Sequence, residues 1–331
     1  MALDGVPFWI GGDAEHGGDS LRMLAYLAAG GKQGVVAPTD LKVLALDVPG
    51  PGVKVLAGGA SILNRVSSQE AYTARNPVTD ADSVKVPATG SASGQSYLVV
   101  LRVDNPNVDG NAQAPADPKK GPYNRFDALP VPAGTRRLKD VAAYSGMSAI
   151  ELARIDMPKS TGTVLSSMIV DLRQLATPRS TRYVLAGVLP STAQAVTLSD
   201  AFKAFPSGGI PNVQIPEWAT HMAARIDTTY SGVSGSPYFQ VRAFMSSTDQ
   251  QTDTYFSTQT VDGTSVAATG VYRSPMVLPT DGMFPVPARL RGTTQTFQTL
   301  VKGVNSGVGA VIKTNPSDYF VLDVTFTEQI S

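Results

Sequence analysis

The sequence contains no cysteine, only two histidines, and equal numbers of basic and acidic residues, 27 of each. Without cysteine the chain has no disulfides, thiolate nucleophiles or cysteine metal ligands. A nucleic-acid partner is not expected, because it normally needs a concentrated basic face and the charges here form no run of one sign. No membrane partner is expected, because no apolar run approaches the roughly 20 residues that span a bilayer.

The composition is that of a folded globular chain. Apolar residues make up 42% of the positions and charged residues 16%, which is typical of a folded protein. The length of 331 residues is enough for about two domains with their own cores. The first residues, MALDGVPFWIGGDAEHGG, lack the basic and apolar regions of a secretory signal, so none is expected.

Hydrophobic periodicity predicts one short helix near the N-terminus. Within residues 19–29, apolar side chains recur at i, i+3, i+4 and i+7, which is the spacing of one helix face. Asp19 or Ser20 is expected to cap the start of this helix, and the Gly30-Gly31 pair is expected to end it.

Most of the remaining chain has the pattern of β-strands separated by Gly, Pro, Asn and Ser clusters. The predicted strands are 41–47, 53–57, 84–87, 97–103, 153–157, 166–175, 217–227, 238–245, 253–259, 271–278, 286–291, 308–313 and 319–326. Ser148 and Glu151 have the spacing of a capping box and predict one helical turn over 148–152. The fold class is therefore mostly all-β with one short N-terminal helix.

The polar stretch 176–182 marks the expected boundary between two domains. Residues 1–178 are expected to form a β-rich domain that includes the helix. Residues 179–331 are expected to form a β-sandwich, because several short strands with turns at close spacing are typical of that architecture.

The glycine-rich stretch VPGPGVKVLAGGASIL begins at Val48 and invites comparison with a nucleotide-binding loop. A dinucleotide fingerprint needs a third glycine where a helix begins, but Val55 holds that position, and Pro51 removes a backbone donor. The alternation of Val53, Lys54 and Val55 is typical of a strand. The stretch is therefore predicted to be a turn that enters a strand.

The residues that could carry catalysis are few, and none has a recognisable catalytic spacing. His221 lies on the polar face of its predicted strand with no nucleophile at a suitable spacing, so an ordinary surface or interface histidine is favoured. The serines of GSASG, residues 90–94, are not at the centre of a nucleophile elbow. A pair of carboxylates for glycoside cleavage leaves no mark in one sequence, and its candidates are Glu217, Asp249, Asp253 and Asp262. No catalytic residue and no cofactor are expected.

The loop at residues 11–19 gathers Asp13, Glu15, His16 and Asp19, whose side chains could supply ligands to a cation, although Asp19 is also the expected helix cap. It lacks the spacing of a calcium loop, and a solvated loop that enters the helix is favoured, so no metal is assigned.

Tyrosines beside polar turns of the second domain could stack on a sugar, although tyrosines at strand ends more often pack at the core edge. Together with nearby carboxylates they define a candidate ligand surface: Tyr230, Tyr238, Asp249, Asp253, Tyr255 and Tyr272.

A turn-Gly-strand unit at Gly52–Val55 is followed by Arg102-Val103-Asp104, then by an Ala153-Arg154-Ile155 strand with Pro158, and then by an Asp171-Leu172-Arg173 close. This succession of four elements resembles the N-terminal domain of minor tail proteins from long-tailed actinobacteriophages. The match covers roughly residues 34–175. The long loop 105–125, with Lys119-Lys120, departs from the family pattern.

This resemblance implies a structural protein of the virion at the tail tip or baseplate. It implies that the first domain attaches to other tail proteins, that the second contacts the host cell envelope, for example its glycans, and that the chain forms a homotrimer. Two other functions remain open. One is a pair of carbohydrate-binding modules from a bacterial surface protein, and the other is a polysaccharide-cleaving tail enzyme.

Overall fold

The structure is a computed structural model, which describes residues 17–110, 112, 114–186, 193–207, 210–230, 232–234, 238–246, 252–262, 274–279, 282–305, 308–316 and 318–330. The chain divides into two compact units between Thr177 and Pro178, one residue before the boundary that the polar stretch predicts. Antiparallel sheets dominate both units, so the mostly all-β fold class is confirmed.

The first unit contains one helix and ten strands within the described residues. They are α1 (Gly18–Ala28), β1 (Gly34–Val35), β2 (Val43–Ala45), β3 (Gly52–Val55), β4 (Gly58–Leu63), β5 (Ala71–Asn76), β6 (Asp80–Lys85), β7 (Gln95–Val103), β8 (Asn124–Val131), β9 (Ala149–Met157) and β10 (Ile169–Asp171). Short 3-10 turns lie at Leu138–Asp140, Ala142–Tyr144 and Ser166–Met168.

Three sheets build this unit, in the strand orders β1-β4-β5, β2-β3-β6 and β10-β9-β7-β8. The central strand β7 is covered on both faces. Tyr97, Val99 and Leu101 join one apolar cluster, whereas Leu98 and Val100 join another. A strand buried on both faces has a continuous apolar sequence, which explains the run YLVVL.

The helix α1 begins one residue earlier than the periodicity predicts, and its cap differs from the expected one. Gly17 is the N-cap residue and no side chain caps the helix, while Asp19 lies in the first turn. Asp19 still suits that place, because a carboxylate is favourable near the positive end of the helix dipole. The expected end is confirmed, since Gly30 and Gly31 have φ values of 60° and 71°, where glycine is preferred.

The glycine-rich stretch turns the chain into β3, as its alternation predicts. The turn presents acceptors to its neighbours: the Gly50 carbonyl oxygen accepts from the Val164 N–H and the Pro51 carbonyl oxygen accepts from the Val86 N–H. A phosphate-binding loop needs free N–H donors instead.

The helical turn predicted at 148–152 is wrong, because this segment belongs to the start of β9. Both residues of the supposed capping box bind elsewhere. The Ser148 hydroxyl oxygen accepts from the Arg65 N–H at 3.0 Å, and Glu151 Oε1 accepts from the Leu138 N–H at 2.6 Å. Strand β9 instead gains two partners, β7 and β10.

Two other predicted strands are largely replaced by 3-10 turns. Of residues 166–175, only Ile169–Asp171 forms a strand, and the 3-10 turn Ser166–Met168 precedes it. Residues 286–291 contain the 3-10 turn Ala288–Leu290, because the prolines of the preceding FPVP segment cannot donate to a strand ladder.

The second unit contains thirteen strands within the described ranges. They are β11 (Ser180–Ala186), β12 (Gln194–Thr197), β13 (Lys203–Ala204), β14 (Ile210–Gln214), β15 (His221–Tyr230), β16 (Gly232–Ser234), β17 (Tyr238–Met245), β18 (Tyr255–Asp262), β19 (Ser274–Pro279), β20 (Phe284–Pro285), β21 (Thr294–Gly303), β22 (Val311–Thr314) and β23 (Phe320–Thr327).

Two main sheets of this unit share one core. One has the order β11-β23-β15-β19, with β20 also on β15, and the other has the order β13-β21-β17-β18, with β14 also on β21. Met222 and Ile226 of β15 pack in the same apolar cluster as Phe239 and Val241 of β17. The predicted β-sandwich is confirmed, since side chains from two sheets meet in one core. A third, three-stranded sheet has the order β12-β22-β16.

Candidate functional site

Two arginines of the family motifs in the first unit, Arg102 and Arg154, form ion pairs with the aspartate two residues further along the chain. Arg102 Nε donates to Asp104 Oδ1 at 3.1 Å, and Arg154 Nε donates to Asp156 Oδ1 at 3.0 Å. Residues i and i+2 of a strand lie on the same face, so this spacing brings the two charges together. These side chains therefore have a structural role.

The third motif pair is more deeply placed. The Arg173 side chain is fully buried and binds both carboxylate oxygens of Asp171. Its Nη1 also donates to the carbonyl oxygens of Pro38 and Asp40, at 2.8 and 2.7 Å. Burial raises the pKa of the Asp171 carboxyl, but the hydrogen bonds and the positive charge of Arg173 outweigh it, and the pKa is lowered. Arg173 therefore connects the segment after β10 to the segment between β1 and β2.

The tyrosines of the candidate ligand surface occupy different environments. Tyr230 is a core residue: it is 2% exposed and its ring stacks on Phe205 with centroids 5.7 Å apart. Burial raises the pKa of its phenol. The expectation that Tyr230 presents a binding surface is therefore wrong, because the alternation of β15 ends in three consecutive buried residues.

Tyr255 begins β18 as a half-buried residue within a group of rings around Arg242. The Arg242 guanidinium carbon lies 4.5 Å from the Tyr255 ring centroid and 4.1 Å from that of Phe202. The Phe244 ring meets Tyr255 edge to face at 5.9 Å. These contacts suit a cation–π cluster that packs the sandwich surface. Tyr238 begins β17 and is also half-buried.

One of the candidate carboxylates, Asp253, is engaged in an ion pair. Asp253 binds Arg289 through both oxygens, at 2.6 and 2.7 Å. This hydrogen bonding outweighs desolvation and lowers the pKa of the Asp253 carboxyl. Asp249 and Tyr272 lie outside the described residues, so the six candidates cannot be joined into one surface.

His221 is half-buried at the start of β15, and its Nδ1 lies 3.0 Å from the Thr220 hydroxyl. Burial, followed by the charge of Arg291, lowers the pKa of His221.

The residues at 11–16 with their candidate cation ligands lie outside the described ranges. Among described residues, no group of three His, Asp or Glu side chains could hold a metal ion. No helix in the described part is long and apolar enough to cross a membrane.

The first unit contains a basic cleft that no sequence motif indicates. This cleft has a volume of about 360 Å³ and is lined by Arg65, Arg136, Arg137 and Lys139, with Glu151 as the one acidic side chain. None of the four cations forms an ion pair with a described residue. We call this set of residues the basic cleft.

Two segments of the chain, one at Arg65 and one at residues 136–139, bring the four cations of the basic cleft together. Arg65 follows β4, the Arg136-Arg137 pair follows β8, and Lys139 lies in the 3-10 turn Leu138–Asp140. The Arg65 backbone is fixed by its hydrogen bond to Ser148, and its guanidinium donates to Gln33 Oε1 at 3.0 Å. The short basic run RRLK is visible in the sequence, but its partner Arg65 lies about seventy positions earlier.

No protein-family model matches the chain, and no curated protein does. Among solved structures, the VP2 protein of infectious bursal disease virus, as a subviral particle, is 10% identical over 90% of this chain and 71% of that chain, with a TM-score of 0.28. The structure of the Gx strain of that virus is 9% identical over 90% of this chain and 71% of that chain, with a TM-score of 0.27. A Cry1Da tryptic core variant of Bacillus thuringiensis is 10% identical over 91% of this chain and 51% of that chain, with a TM-score of 0.19. TM-scores this low carry no argument about fold or function.

Proposed function

We propose that this chain is a structural, non-catalytic subunit of a phage virion, a minor tail protein at the tail tip or baseplate. The observation that carries this proposal is the ordered set of segments that resembles actinobacteriophage minor tail proteins. In the structure these segments supply β3, β7, β9 and β10, which belong to one compact unit. The charged side chains of these segments are engaged in ion pairs, which suits a structural role.

The contacts of three side chains that could carry catalysis or ligand binding support a role without catalysis. Asp253 is held by Arg289, Tyr230 is in the core, and His221 contacts a threonine hydroxyl. General acid–base catalysis needs a titratable group within reach of a substrate. The contacts of these three side chains support a structural role over a catalytic one.

The proposal includes a homotrimer that contacts other tail proteins and the host cell envelope. Light scattering on the purified chain tests the oligomeric state and is expected to give a mass near three chains. A monomer that stays monomeric when its tail partners are added would overturn the trimer.

Immunogold labelling of intact particles tests the virion role. Gold-conjugated antibody raised against this chain is expected to cluster at the tail tip. An antibody that recognises the native protein but leaves every particle unlabelled would refute the virion role. The carbohydrate-binding alternative would then be favoured, because the rings around Arg242 include half-buried aromatic side chains.

A further inference from the structure

We propose that the basic cleft of the first unit binds an anionic saccharide unit, a sugar that carries a phosphate or carboxylate group. The cleft carries uncompensated positive charge. Four cationic side chains line one concavity, and the single carboxylate among them, Glu151, accepts a hydrogen bond from the Leu138 N–H. Arginine presents a planar fork of donors that matches carboxylate and phosphate oxygens.

The lack of ion pairs in the basic cleft contrasts with the other described parts of the chain. Nine arginines outside it bind a carboxylate: Arg22, Arg102, Arg125, Arg154, Arg173, Arg179, Arg182, Arg225 and Arg289. Of the other described arginines, Arg242 lies over aromatic rings, Arg291 donates to the Val286 carbonyl oxygen, and Arg75 is exposed without a described carboxylate partner. These three are isolated from one another in the sequence, whereas the basic cleft gathers three arginines without a described carboxylate partner in one concavity, which favours an oxyanion from outside the chain.

The size and lining of the cleft favour a sugar over a bare ion or a protein segment. Its volume of about 360 Å³ lies within the range of small-molecule sites, roughly 300–1,000 Å³. A stable protein partner would need a surface of about 800 Å² on each side. The amides of Gln33 and Gln174 and the hydroxyl of Ser145 also line the cleft. Amide and hydroxyl groups pair well with sugar hydroxyls.

The saccharide site deepens the proposed contact with the host envelope and rests on it for the biological source of the ligand. It assigns the glycan contact to the first unit, whereas the resemblance implies the second. The binding test uses the purified chain without virions. A failure there leaves the immunogold result intact, and unlabelled particles would leave the binding result intact.

Isothermal titration calorimetry with glucose 6-phosphate and glucuronate is the first experiment, and glucose, inorganic phosphate and hexaglutamate are the comparison ligands. Both anionic sugars are expected to bind more tightly than glucose or inorganic phosphate. Raising NaCl from about 50 mM to about 500 mM is expected to weaken binding, because salt screens exposed charges. Preference for one of the two sugars identifies the oxyanion as phosphate or carboxylate.

Charge variants locate the site. The double variant Arg65→Gln and Arg137→Gln is expected to weaken binding about tenfold or more, which is the effect of losing about 1.4 kcal/mol. The matched control is Arg75→Gln, because Arg75 is exposed, has no carboxylate partner among described residues and lies outside the basic cleft. Thermal unfolding of each variant verifies that it folds.

Glu151→Gln provides a change of opposite sign. Glutamine keeps the oxygen that accepts from the Leu138 N–H but removes the negative charge, so the anionic sugars are expected to bind severalfold more tightly. Three results would overturn the proposal: no heat of binding at millimolar concentration, equal loss of affinity in Arg75→Gln and the double variant, or tighter binding of hexaglutamate than of either sugar. Equal affinity for inorganic phosphate and glucose 6-phosphate would overturn the assignment of a saccharide.

Discussion

Arg173 holds Asp171, two residues before it, with a side chain that has no exposed surface. The same guanidinium donates to the carbonyl oxygens of Pro38 and Asp40, which lie far away in the sequence. One buried cation thus satisfies a carboxylate and two backbone acceptors. The fold of the first unit depends on this residue more than its place in a short motif suggests.

Replacement of Arg173 by methionine is expected to destabilise the first unit by about 1–3 kcal/mol, the usual cost of leaving buried polar groups without their partner. The variant leaves Asp171 and two carbonyl oxygens without their donor, although the Asp171 side chain is 35% exposed and can be hydrated instead. Urea unfolding, followed for the transition of the first unit, measures the change. Arg75→Met is the control and is expected to stay within about 0.5 kcal/mol of the wild type, because Arg75 is exposed. Equal stability of the two variants would show that the buried contacts of Arg173 contribute little.

The second unit is expected to lose stability in acid through Glu328, which binds Arg179 with both oxygens. Hydrogen bonds from Arg179 outweigh desolvation and lower the pKa of Glu328 below its ordinary value of 4.5. A lowered pKa in the folded state means that the stabilisation is present above pH 4.5 and is lost as the pH falls through the lowered pKa.

Glu328→Gln isolates this contribution. The melting temperature of the wild type should exceed that of Glu328→Gln at neutral pH, and the gap should narrow as the pH falls below 4.5 and through the lowered pKa of Glu328. Thermal unfolding by circular dichroism over this pH range checks it. A gap that stays constant with pH would rule out Glu328 ionisation as the cause.

Tyr230→Phe is expected to leave stability unchanged or to raise it by up to about 1 kcal/mol. The Tyr230 hydroxyl is buried and makes no hydrogen bond of good geometry with a described residue. Against the larger effect of burial, the Thr299 hydroxyl lies close enough to lower the pKa of the Tyr230 phenol, but it donates its own proton to the Phe205 carbonyl oxygen. Removal of an unpaired buried polar atom recovers its desolvation cost. Tyr230→Ala is the contrasting variant and should cost about 3–5 kcal/mol, because it empties a ring-sized space in the core. A marked loss in Tyr230→Phe would reveal a partner for the hydroxyl.

Arg242 and Tyr255 are expected to stabilise the second unit jointly. A guanidinium carbon 4.5 Å from a ring centroid is within cation–π range, which is worth about 0.5–2 kcal/mol. A double-mutant cycle with Arg242→Met and Tyr255→Leu measures the coupling free energy. Additive single effects would mean that the ring and the cation are neighbours without an energetic link.

The sequence predicts much of the fold because the strands alternate in a simple way. Strand β17 begins and ends at the predicted positions 238 and 245, and β15 buries Met222 and Ile226 on the predicted face. Strand β21 is not among the predicted strands, and its composition shows why hydrophobic periodicity can miss a strand. Its buried Thr299 is polar, and its hydroxyl is satisfied by a backbone carbonyl, so a core position looks like a surface position in the sequence.

The basic cleft and the rings around Arg242 are beyond prediction for a different reason. Arg65 meets Arg136 only through the packing of separate strands, and Arg242 lies over Phe202 only after β13 and β17 join the same sheet. Local patterns carry no information on which distant segments will meet. Ser148 and Glu151 illustrate the opposite error, because their local pattern favours a helix start while strand pairing and long-range hydrogen bonds stabilise a strand.

Ion pairs within a single strand also determine the electrostatic field that an approaching molecule meets. Arg154 with Asp156 and Arg225 with Asp227 each place opposite charges about 3 Å apart, so each pair acts as a small dipole. The field of a dipole falls off faster than that of a single charge, and physiological salt screens it further over about 8 Å. Encounters on these strand faces should therefore be guided by shape and close contact, with association rates that change little with ionic strength.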